Sequence, residues 1–500
     1  MENVKSRIHR GPIVASLLIA SFVALLSQTL LNVALPSMME DLGIAENVIQ
    51  WLVTGYMLVN GILVPISAFL IERYTTRQLF LCATALFAIG TILCAVAPGF
   101  ALLLTGRLIQ AAGAGILMPL MTVVFLTIFP IEQRGRAMGM MGLAMIFAPA
   151  IGPTLSGWIV EHESWRVLFY IVLPLTLFSL IFGGISMKNV TRTSMPKLDM
   201  AGVVFSTIGF GGLLYGFSDA ANDGWGSPRV IASLGAGILF LILFIWRELK
   251  VARPILEFRV FRFDMFSLTT VINVITTMAM FSGMILLPIF LQKIRGFSPL
   301  ESGFLLMPGA LLMGIMSPIT GIIFDKIGAR WLAVAGLTIT VATTFELSRL
   351  TLETSYMHML LIYTFRSFGM SLMMMPIQTA GMNQLPPRLN AHGSAMSQTL
   401  RNIASAVGTA LLVTIFSNAA SSRGKQLVLS AGINPQDPAN AARLHEISLQ
   451  ATVYGIDFAF EVATWMTVAA LVLAFFIRKT TPQREPAPAK KPVAAEPARS

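Results

Sequence analysis

Apolar residues fall in long runs separated by short polar segments, without the regular alternation of a half-buried soluble fold. Ile13–Leu35 is a charge-free run of 23 residues. At about 1.5 Å per residue, a helix of that length crosses a hydrocarbon core of about 30 Å. Such runs recur and predict spans at 13–35, 48–70, 79–97, 101–127, 137–159, 167–187, 201–217, 230–246, 265–290, 303–323, 331–348, 357–380, 397–417 and 457–477. Lipid offers the backbone no hydrogen bonds, so each span is expected to be a helix. The first run follows Lys5, Arg7 and Arg10 but exceeds the apolar core of a secretion signal, about 7–15 residues, and no small-residue cleavage site follows it. It predicts a retained first helix. The expectation is an all-α membrane protein of 14 transmembrane helices with both termini on one side.

Charge fixes which side. Lys and Arg number 24 on the side of the termini and 8 on the other, with Arg107, Arg366 and Arg401 inside spans. The positive-inside rule therefore predicts cytoplasmic termini. The net charge of +11 then reads as topology and contact with anionic lipid, not as a nucleic-acid surface. Cys82 and Cys94 lie in one predicted helix about 18 Å apart, too far for a disulfide. No metal cluster, phosphate loop or nucleophile–base set is legible, so neither an enzyme nor an ATP-driven pump is expected, and no cofactor. The long loop near Asn418–Ile456 is polar, with Pro435 and Pro438, and the Pro- and Ala-rich tail 479–500 predicts disorder.

The chain repeats itself. Pro36, Gly43, Pro65, Glu72 and Arg77 have counterparts at Pro288, Gly296, Pro318, Asp325 and Arg330, offset by 252 or 253 residues, and Arg107 matches Arg366 at offset 259. Parallel duplicated halves suit a transporter that rocks two bundles about a central site. The predicted organisation is a six-helix bundle (1–187), two inserted helices with their linkers (188–264), a second six-helix bundle (265–478) and the tail.

Three segments carry mechanism. Gly321, Asp325, Gly328 and Arg330 form a hairpin in which Asp325 can face the positive N-terminus of the following helix and Arg330 can pair with an acid. Its first-half copy is degenerate, keeping Glu72 and Arg77. Gly139, Ala148, Gly152, Pro153 and Gly157 form a kinked stretch of small residues to which a neighbouring helix can pack closely. Arg107, about eight residues into its span, must face protein or water and have a partner.

The hairpin resembles the signature of the major facilitator superfamily. Arg107-Leu-Ile-Gln110-Ala-Ala-Gly113-Ala-Gly115 resembles its fourth-helix motif, and the Gly139–Gly157 stretch its antiporter motif. Leu291-Gln292, Gly296-Phe-Ser-Pro299-Leu, Leu306-Met-Pro308, Leu400-Arg401-Asn402 and Gly408-Thr-Ala resemble the 14-helix drug:proton antiporter branch, lincomycin-resistance exporters in particular, over about residues 10–478. The resemblance implies proton-driven efflux of lipophilic or lincosamide-like drugs across a bacterial plasma membrane, with a small-molecule substrate, protons and the bilayer as partners. It assigns Arg107, with Arg366 as its second-half counterpart, to proton–substrate coupling. Some such exporters use a periplasmic adaptor; the sequence is silent on one.

One position departs from the pattern. The first helix of the family reads Asp-x-Thr-x-x-Asn-x-Ala-Leu-Pro, whereas this chain has Ser27 in place of the Asp, followed by Gln28, Thr29 and Asn32. Neither Ser27 nor Gln28 titrates near neutral pH. The alternative acids bordering spans are Asp457 and Glu461, one helical turn apart, and Glu346. Cavity candidates are Gln28, Asn32, Gln110, Asn273 and Gln378, with Met118 and Met374 as adaptable apolar surface. Two other functions stay open: export or symport of one metabolite, and a membrane sensor or scaffold that retains the fold.

Overall fold

The computed structural model describes residues 9–191, 193, 198–251, 254–432 and 440–478. Lys5 and Arg7 of the leader, Pro435 and Pro438, and the tail 479–500 lie outside the described residues. Among the described residues, fourteen helices are long and apolar enough to cross a membrane: α1 Arg10–Leu42, α2 Trp51–Arg73, α3 Thr76–Ala95, α4 Phe100–Ile128, α5 Arg134–His162, α6 Arg166–Ser186, α7 Met200–Asp223, α8 Pro228–Lys250, α9 Asp264–Ile289, α10 Pro299–Ile327, α11 Ala329–Glu346, α12 Tyr356–Gln384, α13 Asn390–Ser430 and α14 Ala441–Ala474. The end at which α1 starts also carries the α2–α3, α4–α5 and α10–α11 connections. It is called the basic face below.

Local chemistry sets the helix ends. Thr75 and Ser298 each form a reciprocal capping box, with Gln78 and Glu301 respectively. The repeat is visible in the backbone. Gly43 and Gly296, paired by the sequence offset, both take a left-handed conformation (φ +61° and +70°) where α1 and α9 end. Pro288 removes a backbone donor near the end of α9, and a single π turn, Phe290–Ile294, follows it.

Helices α1–α6 form one bundle and α9–α14 the other, while α7 and α8 pair with each other and α7 rests on α2 and α13. Gly212 and Gly237 allow the α7–α8 approach: a Cβ on Gly212 would lie 2.8 Å from Ser233 O. The outer surface is apolar, with Ile185 81% exposed and Trp465 66% exposed. Such a surface is stable in lipid and not in water.

Two predicted spans were too short. The expected loop at 418–456 is largely helical: α13 runs on to Ser430 and α14 begins at Ala441. These turns are polar on average, so the hydropathy signal stopped at the lipid boundary while the helices continued beyond it. Gly455 packs on Phe416 and Ala420, and Arg423 lies over the Tyr454 ring at 5.2 Å, holding the two extensions together.

Candidate transport site and inter-bundle seam

The two bundles meet along α5 and α10. Gly135, Gly139 and Gly142 share one face of α5; Ser317 and Gly321 oppose them on α10, where Gly314 receives the Phe147 ring of α5. A Cβ on Gly139 would lie 2.6 Å from Ser317 O and 2.9 Å from Pro318 Cα, so only glycine fits this approach. Ser317 Oγ donates to Gly139 O at 2.9 Å. At the basic face the seam ends on Asp325, whose carboxylate accepts the N–H groups of Gly135 (2.8 Å) and Arg136 (3.0 Å). These are the second and third residues of α5, whose donors lack partners within the helix, so the acid caps a helix of the other bundle.

That geometry corrects two sequence expectations. Asp325 faces α5 across the seam and not α11, the helix that follows it. Arg330 pairs with no acid among the described residues; it is exposed and lies over the Trp331 ring at 5.4 Å. Between them Gly328 turns the chain with φ +83°. In the first half Arg77 donates to Gly184 O at 2.7 Å, within its own bundle. Glu72 crosses to the second bundle and meets His392 Nε2, on the third residue of α13, at 3.0 Å. The N–H of Glu257, in the segment between α8 and α9, donates to His392 Nδ1, so the ring carries its proton on Nε2, toward Glu72. The duplication thus yields reciprocal contacts: an acid at the end of the second helix of each half reaches the first turn of the fifth helix of the other. Arg134 adds a crossing bond to Asn383 at 3.1 Å, and Ser394 of α13 another to Pro119 O at 3.4 Å.

The far part of the small-residue stretch serves a different neighbour. Gly152 packs on Thr29 of α1, Thr29 Oγ1 donates to Ala148 O, and Ser156 Oγ donates to Leu30 O at 2.6 Å. Pro153 lies in the same segment of α5. Gly157 has only Val33, 4.0 Å from where a Cβ would be, so packing does not demand glycine there.

Arg107 is buried among neutral partners. Nη1 donates to Gln110 Oε1 (2.8 Å) and to Ser27 Oγ (3.3 Å), and the guanidinium lies over the Tyr56 ring at 4.4 Å. Ser27 therefore stands where the usual first-helix carboxylate would meet this arginine. Gln110 passes the network on to Thr91 at 2.7 Å. Arg366 is also buried, bonded to Thr344 Oγ1 (3.2 Å), Ala279 O (3.1 Å) and Ser282 Oγ (3.4 Å).

The alternative acids lie apart from both arginines. Asp457 accepts the Leu350 N–H at 3.1 Å, tying α14 to the α11–α12 connection. Glu461 is exposed on the outside of α14. Glu346 faces His358 at 3.5 Å, each side chain about half exposed.

A cleft between α9, α12 and α13 is lined by Asn273, Thr277, Met370, Met373, Met374 and Arg401. Arg401 Nη1 reaches Gln378 Oε1 at 3.5 Å. The structure thus assembles Asn273, Met374 and Gln378 of the predicted cavity. Gln110 belongs to the Arg107 network, Asn32 is exposed, and Gln28 and Met118 are half-buried elsewhere. Arg401 was missed as a site residue. Its sequence signal was present in the Leu-Arg-Asn motif of a span that was otherwise uncharged.

Duplicated bundles, a glycine seam between them and a cleft inside the second half define a polytopic membrane transporter and not an enzyme. The chain belongs to the Major Facilitator Superfamily, whose profile matches residues 17–409. It is 48% identical over 482 residues to the uncharacterized MFS-type transporter YhcA of Bacillus subtilis (strain 168), covering 91% of each chain. It is 42% identical over 470 residues to the lincomycin resistance protein LmrB of the same organism, covering 94% of this chain and 96% of that one. Among solved structures, the human organic anion transporter MFSD10 superposes with a TM-score of 0.64 at 13% identity, covering 93% of this chain and 99% of that one, a likeness of fold alone. The apolar helices and the bacterial relatives place the chain in the plasma membrane as a multi-pass protein.

Proposed function

We propose that the chain exports drugs across the plasma membrane by alternating access, with lincosamides among its substrates and protons as the exchanged ion. The observation that carries this reading is the reciprocal latch. Asp325 on α5 and Glu72 on His392 hold one face shut, and both contacts must break for the bundles to part there. The positive-inside count assigns that face to the cytoplasm, so the described state is closed inward. Likeness to a lincomycin resistance protein supports the substrate class. In this reading Asp325, Gly321 and Gly328 with Glu72 and Arg77 form the conformational latch; of the antiporter stretch, Gly139 forms the seam with α10, Gly152 and Pro153 belong to the part of α5 that packs on α1, and Gly157 is not demanded by packing. Arg107 and Arg366 are positioning residues that fix α4 and α12 against their neighbours. The exchanged proton is assigned to the carboxylates Asp457, Glu461 and Glu346, of which Asp457 is the half-buried one.

The test is proton release from proteoliposomes on addition of lincomycin, for wild type and for Asp457→Asn, Glu461→Gln and Glu346→Gln. Substrate-dependent proton flux that one of these variants abolishes supports antiport. Lincomycin movement without proton flux rejects the antiport half of the reading, and no movement of lincomycin rejects the substrate.

A further inference from the structure

Three arginines inside the spans are not equivalent: Arg107 and Arg366 are buried and Arg401 is half-buried. Arg107 has Ser27, Gln110 and the Tyr56 ring, and Arg366 has a hydroxyl pair and a backbone carbonyl. Arg401 has one long contact, to Gln378 at 3.5 Å. A guanidinium carries five N–H donors and keeps its charge at any physiological pH. Holding that charge inside a membrane protein is costly unless something answers it. Among the described residues no carboxylate does so. The acids lie in loops, in helix end turns, at the Asp457–Leu350 tie, or exposed at Glu461.

The surroundings of Arg401 are those of a ligand site. Met370, Met373 and Met374 supply a deformable apolar wall, and Asn273 and Thr277 supply neutral hydrogen-bonding groups on the opposite helix. In the present packing the cleft offers only about 10 Å³ to the centres of water-sized molecules, room for about one water. A larger ligand is therefore admitted only when the bundles part. An apolar wall facing one unanswered cation suits a molecule with an apolar body and a negative group, and it repels a lipophilic cation.

We infer that Arg401 is the anion-binding residue of the transport site, and that the chain favours amphiphilic organic acids over cations of the same size. The inference rests on the export reading and not on its lincosamide part, since lincosamides are amines and carry no acidic group. A carboxylate replaces the missing counter-charge by accepting two N–H groups side by side from the guanidinium, while the methionines pack on the apolar part.

Binding is measured by fluorescence on the purified full chain in nanodiscs with three dansyl probes: dansylglycine (carboxylate), its neutral carboxamide, and a dansyl trimethylammonium derivative. Dansylglycine is expected to bind about ten- to hundredfold more tightly than the carboxamide, the span of a hydrogen bond to a charged group, and the cation most weakly. Arg401→Gln removes the preference, Arg401→Lys restores part of it, and Met374→Ala weakens all three probes together. The inference is overturned if wild type shows no carboxylate preference, if Arg401→Gln and Arg401→Lys both keep it in full, or if no probe binds saturably. Efflux of dansylglycine and of lincomycin from cells is scored separately. Efflux of either compound without carboxylate preference sinks the inference alone, and carboxylate preference with efflux of neither sinks the export reading.

Discussion

Asp325 and Gly135 are 190 residues apart in the chain, yet the carboxylate of one accepts the N–H of the other at 2.8 Å. The bond joins the last turn of α10 to the first turn of α5, and so one half of the duplicated molecule to the other. A charge-assisted bond of this kind is worth about 1.5–3 kcal/mol, with a further few tenths to 2 kcal/mol from the helix terminus. Asp325→Ala is therefore expected to shift the closed-to-open balance at the basic face by about tenfold or more. Ser394→Cys, placed where Ser394 meets Pro119 O across the seam, supplies the reporter. Its alkylation by N-ethylmaleimide is expected to quicken in the Asp325→Ala background, and an unchanged rate would remove Asp325 from the latch.

Gly139 is the tightest test of the seam. Gly139→Val forces α5 away from Ser317 and Pro318, and overpacking of this kind costs about 1–3 kcal/mol. The expected result is a folded membrane protein with lower thermal stability and little export. Gly157→Ala, which meets nothing nearer than Val33, is expected to match wild type in both measurements. Equal behaviour of the two variants would show that α5 and α10 do not need to be so close.

Much of this was legible in the sequence. The fourteen spans, the duplication and the Gly43–Gly296 pair follow from apolar run length and from residue types that a left-handed turn selects. What stayed hidden was non-local. Asp325 was referred to the helix that follows it because sequence shows only local neighbours, whereas its donors come from the opposite half. Arg401 sat in a recognised motif, but its cleft exists only once α9, α12 and α13 are packed. The outer turns of α13 and α14 escaped because hydropathy measures lipid contact and not helix length.

Arg107 and Ser27 offer a test of coupling. Ser27→Asp places a carboxylate beside the guanidinium, at the position where the family carries its acid. The pair is expected to form and to make export more steeply pH-dependent than in wild type, read as lincomycin efflux between pH 6 and 8. Arg107→Ala leaves Gln110 Oε1 and Ser27 Oγ without their donor and is expected to lower the melting temperature. Arg107→Lys rescues little, because one ammonium cannot reproduce a planar fork stacked on Tyr56. A pH profile of Ser27→Asp identical to wild type would show that this position no longer takes part in coupling.

Outside the spans, Asp199 accepts two bonds from Arg247, at 2.6 and 2.7 Å. Those bonds hold its carboxyl below the ordinary 3.8. The stabilisation is therefore fully present above that value and is lost as pH falls through the lower folded-state pKa. Asp199→Asn is expected to melt at a lower temperature than wild type at pH 7. The gap should persist to about pH 4 and close only in stronger acid. A gap that closes between pH 5 and 7 would assign the effect to another group.

The length of α13 has a practical consequence. Its 41 residues make a rod of about 61 Å, roughly twice the thickness of the hydrocarbon core, and the part beyond the lipid is braced by α14. The same rod begins at Asn390, is touched by Glu72 at His392 in its first turn, and carries Arg401 further along. An antibody fragment gripping the exposed turns would thus hold a handle rigidly continuous with the latch and the binding cleft. On the export reading, with the basic face cytoplasmic, it would arrest or report the rocking of the second bundle from the opposite side of the membrane while leaving the cleft free.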